Sequence, residues 1–166
     1  PGMTDYFSPL TVNNLGIVNH GHAKGDGTVG VHMHCHVYHE GVGKKGADNV
    51  ASFIVKTLTS ANIIREDERG KKLTIVFDNC TGQNKNNTVL KLVPFLLEHG
   101  YFEEVVFHFL IVGHTKNACN RYFNQLKCIQ RKTNSYTMME LCKNHRDCED
   151  ITIYETQQYD FLNWGK

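Results

Sequence analysis

A carboxylate followed by a polar loop is the feature of the sequence whose chemistry is easiest to interpret. Residues 73–77 are apolar and largely β-branched, which predicts a buried strand, and Asp78 follows that strand directly. The next nine residues contain amides, one glycine and one lysine but no second acid. Since ligands of open α/β sheets bind outside the carboxyl ends of the strands, this loop favours a metal ion or phosphate groups. A helix cap or turn is the alternative interpretation of Asp78.

A second polar motif, GHTKNACNRYFN at residues 113–124, also follows a predicted strand and enters a helix. We expect the two strand ends to lie side by side, with Asp78 and His114 facing each other. Lys116, Asn120 and Asn124 recur at intervals of four residues, so they share one stripe of that helix. Without Asp78 nearby, the motif would instead indicate a glycine turn followed by a solvated helix face.

The distribution of charge adds a second signal, although the formal net charge is only +1. Residues 105–139 contain no Asp or Glu, and five cations lie within them: Lys116, Arg121, Lys127, Arg131 and Lys132. A basic stretch beside a polar loop is typical of a surface that binds a polyanion. From charge alone, a solvated helix face is the favoured explanation.

The elements that must position these motifs alternate along the chain. Strands are predicted at residues 15–19 (extending toward residue 10), 28–39, 73–77, 105–112 and 151–154, and helices at 48–58, 87–98, 115–131 and 138–143. This order predicts an α/β fold, a mixed sheet flanked by helices in which the strands at 73–77 and 105–112 are parallel neighbours. The length and composition fit a single domain over residues 1–166.

Four segments of the chain resemble one known family. They are YHEGVGKKGADNVASF, DNCTGQNKNNTVL, VGHTKNACNRYFNQLK and FLNW. These segments are similar to a family of eukaryotic, transposon-derived proteins of unassigned biochemical function, whose core resembles the RNase H-like catalytic domain of transposases and integrases. The resemblance implies an RNase H-like fold, a nuclear location and a DNA partner. It also implies Mg²⁺ or Mn²⁺ ions that support phosphodiester cleavage or strand transfer.

The resemblance also implies roles for individual residues. Asp78 matches a metal-ligating acid on the fourth strand of the RNase H-like fold, and Asn120 takes a position that is Asp in the family motif. His114 would orient the nucleophile or the leaving group. Other residues would position phosphate or water through amides, or contact the nucleic-acid backbone through cations: Asn79, Gln83, Asn84, Lys85, Lys116 and Arg121.

Two departures from the family pattern reduce the activity that we expect. Asn120 brings no negative charge to a hard cation, which prefers carboxylate oxygens. The first strand of the fold and its acid are missing from the predicted elements. We interpret the chain as a fragment truncated before Pro1; alternatively, residues 4–19 form two short strands with Asp5 near the site. We therefore predict an impaired nuclease, with a non-catalytic nucleic-acid- or protein-binding module on the same fold as the alternative.

A glycine-rich loop at residues 41–46 precedes the first predicted helix and carries Lys44 and Lys45. Backbone amides at a helix N-terminus attract phosphate, so the two lysines are candidate nucleic-acid contacts. A flexible, solvated loop is an equally good interpretation. The oligomeric state is not predicted.

Alternating histidines mark the second predicted strand. His32, His34 and His36 share one face, and several imidazoles on a hairpin are able to bind Zn²⁺ or Ni²⁺. The other face carries apolar side chains that fit a core. We prefer the interpretation in which the histidines form an exposed polar face without a metal.

The six cysteines argue against a secreted protein, because they are scattered and include no C-x-x-C pair. We interpret them as reduced thiols of an intracellular protein. The set Cys142-x2-His145-x2-Cys148, with Cys128 upstream, matches no standard zinc spacing, so a zinc site is disfavoured. No apolar run approaches the length of a membrane span, so no membrane partner is expected.

Overall fold

The computed structural model describes residues 10–64, 71–111, 117–146 and 148–164. Five strands and five α-helices occur in these ranges, in the following order along the chain: β1 Val12–Ala23, β2 Val29–His39, α1 Ala47–Ser60, β3 Lys72–Phe77, α2 Asn87–Leu90, α3 Leu92–Glu98, β4 Glu104–Phe109, α4 Ala118–Gln130, α5 Met138–His145 and β5 Ile151–Glu155. A short 3₁₀ turn, Gln158–Asp160, follows β5.

The predicted hairpin is confirmed as the antiparallel pair of β1 and β2. Asp26 closes its turn by accepting hydrogen bonds from the backbone N–H and the hydroxyl of Thr28, at 2.9 and 2.6 Å. The register changes between Asn19 and His22, which allows β1 to extend beyond its predicted end. Strand β5 pairs in parallel with the other edge of β2, which gives a three-stranded sheet in the order β1-β2-β5.

The predicted parallel neighbours are confirmed as β3 and β4, which form a separate two-stranded sheet. The sequence favoured one mixed sheet, whereas the described strands make two ladders, and no pairing joins β1 to β3. Both ladders pack on the same apolar cluster of α1, β1 through Leu15 and Ile17, and β3 through Leu73 and Ile75. The fold is therefore mixed α/β, with two small sheets that share one helix as their cover.

Helix α1 has an apolar face that packs in the core, because its apolar side chains recur with helical spacing. Val50, Ile54 and Leu58 occur at i, i+4 and i+8, and all three are buried. The single helix predicted at residues 87–98 is divided into α2 and α3 at Lys91. Pro94 lies in the first turn of α3, where its missing N–H removes no helical hydrogen bond.

A second apolar cluster lies on the opposite face of the three-stranded sheet. Met33 and Cys35 of β2 pack there against Leu126 of α4 and Cys142 of α5. Gly16 of β1 allows α4 to approach closely, since an added Cβ would lie 2.9 Å from a ring carbon of Phe123 and would overlap Met33. The lack of a side chain at this one position sets how closely α4 packs on β1.

The C-terminal segment, residues 156–164, crosses α1 and reaches α3. Ser52 of α1 accepts hydrogen bonds from the Leu162 backbone N–H at 2.9 Å and from the Trp164 indole N–H at 3.2 Å. The Trp164 ring meets Phe95 of α3 edge-on, with the ring centroids 5.2 Å apart. The Lys91 ammonium donates to the Trp164 carbonyl at 2.7 Å. The segment thus connects the helices that cover the two ladders.

None of the helices in the described ranges combines the length and the apolar composition needed to cross a bilayer.

Candidate functional site

The loop at residues 78–86, which we call the Asp78 loop, begins where β3 leaves the core. The Phe77 ring is buried and stacks on Phe109 of β4, with the ring centroids 5.3 Å apart, while Asp78 is exposed. The Asn84 side-chain amide donates a hydrogen bond to the Asp78 carboxylate. The Cys80 carbonyl accepts from the Asn84 backbone N–H at 2.7 Å, which folds the loop back toward β3. Two of the predicted site residues are therefore in direct contact.

The far end of the Asp78 loop is anchored to β4 and α2. The Lys85 ammonium lies 5.9 Å from the centroid of the Phe109 ring, in a cation–π arrangement at the end of β4. Asn86 caps α2 by accepting from the Val89 backbone N–H at 3.0 Å. Asn79 and Gln83 are half-buried in the same loop. The loop therefore presents amides and one cation around a single carboxylate, as its sequence indicated.

The first turn of α4 lies close to Asp78. Asn117 caps the helix by accepting from the Asn120 backbone N–H at 3.1 Å. The Cys119 thiol donates to the Gly16 carbonyl of β1 at 3.6 Å. Burial raises the pKa of this thiol, and the negative charge of Asp78 raises it further. The Asp78 carboxylate thus acts electrostatically on the helical turn that contains Asn120, whereas His114 and Lys116 lie outside the described residues, as does Asp5.

A cleft of about 490 Å³ opens between α4 and β1 next to that turn. Its lining, which defines what we call the α4 cleft, consists of Asn14, Asn120, Phe123, Asn124, Leu126, Lys127 and Gln130. Four of these side chains are amides and one is a lysine, and no carboxylate is among them. The arrangement is able to donate and accept several hydrogen bonds and to attract negative charge.

Three polar residues of the α4 cleft were not assigned to the site from the sequence. Lys127 was included only in the basic stretch, although it lies three residues after Asn124 on the same helical stripe. Gln130 follows Leu126 by four residues, a spacing that favours the inner side of the helix, yet the Gln130 side chain is exposed and lines the cleft. Asn14 was not detectable, because its place in the cleft depends on how α4 crosses β1.

The opposite flank of α4 has a different charge. A second cleft of about 400 Å³ on this side is lined by Gln125, Cys128, Ile129, Lys132, Cys148, Glu149 and Asp150. Arg121 lies one helical turn before Gln125, on this flank rather than on the Asn120 stripe. Arg121, one of the predicted nucleic-acid contacts, therefore faces away from the α4 cleft. Acidic residues line the cleft on the Arg121 side of the helix, whereas none line the α4 cleft.

The second predicted phosphate contact lies at the start of α1. Lys44 and Lys45 are exposed, and the Asn49 amide donates to the Lys44 carbonyl at 2.5 Å. Asp48 stands in the first turn of α1 and accepts from the Trp164 backbone N–H at 3.2 Å. A carboxylate already complements the positive end of this helix dipole, which weakens the expected attraction for phosphate.

The described residues do not fit the two-ion centre that the resemblance implies. Asp78 is the one carboxylate of the Asp78 loop, and no group of three or more His, Cys, Asp or Glu able to hold a metal occurs in the described ranges. Cys128, Cys142, His145 and Cys148 all belong to the described part of the chain, and they do not form such a group there. Binding of Mg²⁺ or Mn²⁺ by the whole chain stays a prediction.

The histidines of β2 are the clearest correction to the sequence analysis. His32, His34 and His36, which we call the histidine face, are only 9%, 3% and 0% exposed, not solvated as expected. The reason is that α1 covers this side of the sheet, with the Thr57 hydroxyl 2.8 Å from His36 Nε2. Tyr154 of the neighbouring strand β5 also packs beside the rings, with its hydroxyl 3.0 Å from His34 Nδ1.

The imidazoles of the histidine face pack as aromatic rings. His36 stacks between Phe53 and Tyr154, with ring centroids 4.6 and 4.8 Å away. Burial, and then the charge of Lys56, lower the pKa of His36 to about 3. Burial, and then neighbouring histidines, lower the pKa of His34 to about 4. The rings are therefore neutral at physiological pH, and they contribute to the core rather than to a site.

Taken together, fold and site define a mixed α/β domain with a polar, acid-free cleft beside a strand-end carboxylate. The chain belongs to the family described as a domain of unknown function, DUF7869, which matches residues 4–164. No curated protein matches the chain. No solved structure matches it either.

Proposed function

We propose that this domain binds nucleic acid through the α4 cleft and the neighbouring Asp78 loop. The observation that carries the proposal is the lining of the cleft, which combines amides with Lys127 and contains no carboxylate. Phosphates are attracted to such a surface because nothing beside the lysine repels them, while amides are able to bond to phosphate, sugar or base. The Asp78 loop adds Lys85 and further amides next to the first turn of α4.

The scaffold is proposed to be RNase H-like and transposon-derived. Three features support this: the antiparallel hairpin, the parallel pair β3–β4 with Asp78 at its carboxyl end, and a helix after β4 that returns to Asp78. The resemblance implies one further strand. The edges of β1 and β3, both packed on α1, are where that strand would pair.

Binding is favoured over catalysis by the number of acids. Asp78 is the single carboxylate of its loop, and Asn120 supplies an amide where the family motif carries an acid. Hard cations are held chiefly by carboxylate oxygens, so one acid gives weak retention of a divalent ion. We expect the 166-residue chain not to cleave DNA in Mg²⁺ or Mn²⁺. Metal-dependent strand cleavage that is abolished by Asp78→Asn would establish the catalytic alternative instead.

The binding proposal is tested by comparing two lysines of the same helix. Lys127→Gln is expected to weaken the binding of labelled DNA about threefold to tenfold at low salt, and to reduce the slope of log K against log salt by about one. Lys132→Gln is the matched control, because Lys132 lies on the flank that carries Glu149 and Asp150. Fluorescence anisotropy from 50 to 300 mM salt measures both quantities.

Two results would contradict the proposal. Equal effects of Lys127→Gln and Lys132→Gln would mean that the helix acts only through its overall charge. No detectable binding of DNA or RNA at 50 mM salt would remove the nucleic-acid function and leave a protein-binding module as the remaining interpretation.

A further inference from the structure

We infer that the α4 cleft receives an unpaired nucleobase, so that the domain prefers single-stranded over double-stranded nucleic acid. The inference rests on the proposed function, and it specifies which part of the nucleic acid enters the cleft. Its basis is the size, the lining and the placement of the cleft.

The size of the cleft suits a nucleotide. Its volume of about 490 Å³ lies within the range of about 300–1,000 Å³ that is usual for sites of small organic ligands. The apolar surface open to a ligand comes from Phe123, which is half-buried, because Leu126 is only 2% exposed. A flat aromatic base is able to cover such a surface, whereas a phosphate group alone would leave it exposed to water.

The polar part of the lining suits the edge of a base. No described residue makes a hydrogen bond with the side-chain amides of Asn14, Asn124 or Gln130, so these groups remain available to a ligand. An amide carries a donor and an acceptor side by side, and the base edges present the complementary pair, as adenine does with N6 and N7. Carboxylates, which would select a cation or an amine instead, are absent from the lining.

The placement of the cleft favours a base that has left a duplex. The amides lie along a cleft between α4 and β1, where the neighbouring strand limits access from one side. A base reaches such a cleft most easily after leaving its stack, which single strands allow at little cost. Lys127, exposed and among the lining residues, is then placed to contact the adjoining phosphate.

The experiment measures anisotropy of the 166-residue chain with three labelled 12-nucleotide probes at 75 mM salt: single-stranded DNA, single-stranded RNA of the same sequence, and a hairpin duplex. We expect the single strands to bind at least about fivefold more tightly than the duplex, with DNA and RNA within about threefold of each other. Asn124→Leu is expected to remove this preference by weakening the binding of both single strands. Gln125→Leu, the adjacent residue on the other flank of α4, is the matched control and retains the preference.

The outcomes separate the inference from the function on which it rests. Equal binding of duplex and single strands, or equal losses for Asn124→Leu and Gln125→Leu, would overturn the inference and leave the proposed function standing. Failure of all three probes to bind would overturn both. A circular dichroism spectrum of each variant identifies any loss of fold, and Asn124→Gln, which keeps an amide on the helix, is the second variant and is expected to retain most of the single-strand preference.

Discussion

The histidine face and the α4 cleft are both rich in polar nitrogen-bearing side chains, yet the first is buried and the polar side chains of the second are exposed to solvent. The histidine face is covered by α1 and flanked by Tyr154 of β5, and His36 has no exposed surface. The polar side chains of the α4 cleft, including Asn124 and Lys127, are exposed. The difference teaches that polar periodicity does not determine exposure. An imidazole is able to enter a core as a neutral aromatic ring, whereas an amide on a helix remains solvated unless another group covers it.

Acidification tests whether the histidines of the histidine face are buried in their neutral form. The folded-state pKa of His36 is about 3 and that of His34 about 4, both below the ordinary value of 6.5. The unfolded chain therefore binds more protons below pH 6.5, so stability is complete above that pH and is lost as the pH falls toward 4. At pH 5, His36 alone is expected to reduce the free energy of unfolding by about 2 kcal/mol relative to pH 8.

Urea denaturation at pH 8, 6 and 5 measures this loss. His36→Gln is the control, since a neutral amide is able to reach Thr57 without titrating, and it should remove about 2 kcal/mol of the pH dependence. A wild-type stability that is constant from pH 8 to pH 5 would contradict the buried, neutral state of these rings.

Truncation of one residue from each surface sharpens the comparison. His36→Ala is expected to destabilise the fold by about 2–4 kcal/mol, because it leaves a void between Phe53 and Tyr154. Asn124→Ala should change stability by less than about 0.5 kcal/mol, as exposed helix positions tolerate Ala. Urea denaturation of both variants at pH 8 gives the two values. Similar costs at the two positions would mean that the α4 cleft is also part of the core.

Gly16→Ala tests how α4 is placed over β1. The added Cβ would crowd Phe123 and Met33, so we expect a loss of about 1–3 kcal/mol and a displaced helix. Gly25→Ala is the matched control, since no atom lies within 4 Å of a Cβ added there. Thermal denaturation and the binding of single-stranded DNA should both respond to Gly16→Ala alone. If both glycine variants behave like the wild type, α4 does not depend on this close approach.

The smallest expected effect is that of Asp78→Asn. Removing an exposed carboxylate beside the proposed path of the phosphates should strengthen DNA binding about twofold to fivefold at low salt in the presence of EDTA. A bound divalent ion would reverse this sign, because loss of its ligand would weaken binding in Mg²⁺. Anisotropy titrations with EDTA and with 5 mM Mg²⁺ separate these possibilities. Weaker DNA binding by the variant in both conditions would contradict the interpretation that Asp78 only repels the phosphates.

The sequence predicts individual elements well wherever one periodicity dominates. The alternation in β2, the apolar run of β3 and the helical spacing of Val50, Ile54 and Leu58 each favour one element, and the structure has all three elements. The position of Asp78 followed from the end of a strand. These predictions succeed because they depend only on neighbouring residues. The prediction that β3 is buried is wrong for part of the strand, because its residues alternate in exposure and Val76 is 58% exposed.

The features that the sequence does not predict depend on contacts between distant elements. His36 is buried because α1 and Tyr154 of β5 pack against it. The alternating sequence of β2 would be the same if this face were exposed to water. The α4 cleft requires Asn14 to meet a helix more than 100 residues later in the chain. The separation of two ladders depends on both packing against α1. Local periodicity contains none of this information.

Trp164 is the single tryptophan of the chain, and its ring lies where the C-terminal segment meets both α1 and α3. Its indole is hydrogen-bonded to Ser52 and packed against Phe95, so any loosening of this junction changes the polarity around one fluorophore. The emission maximum of the unlabelled protein is thus an optical readout of whether the helices covering the two ladders remain docked. A red shift that precedes the loss of helical circular dichroism would show that the junction opens before the helices melt.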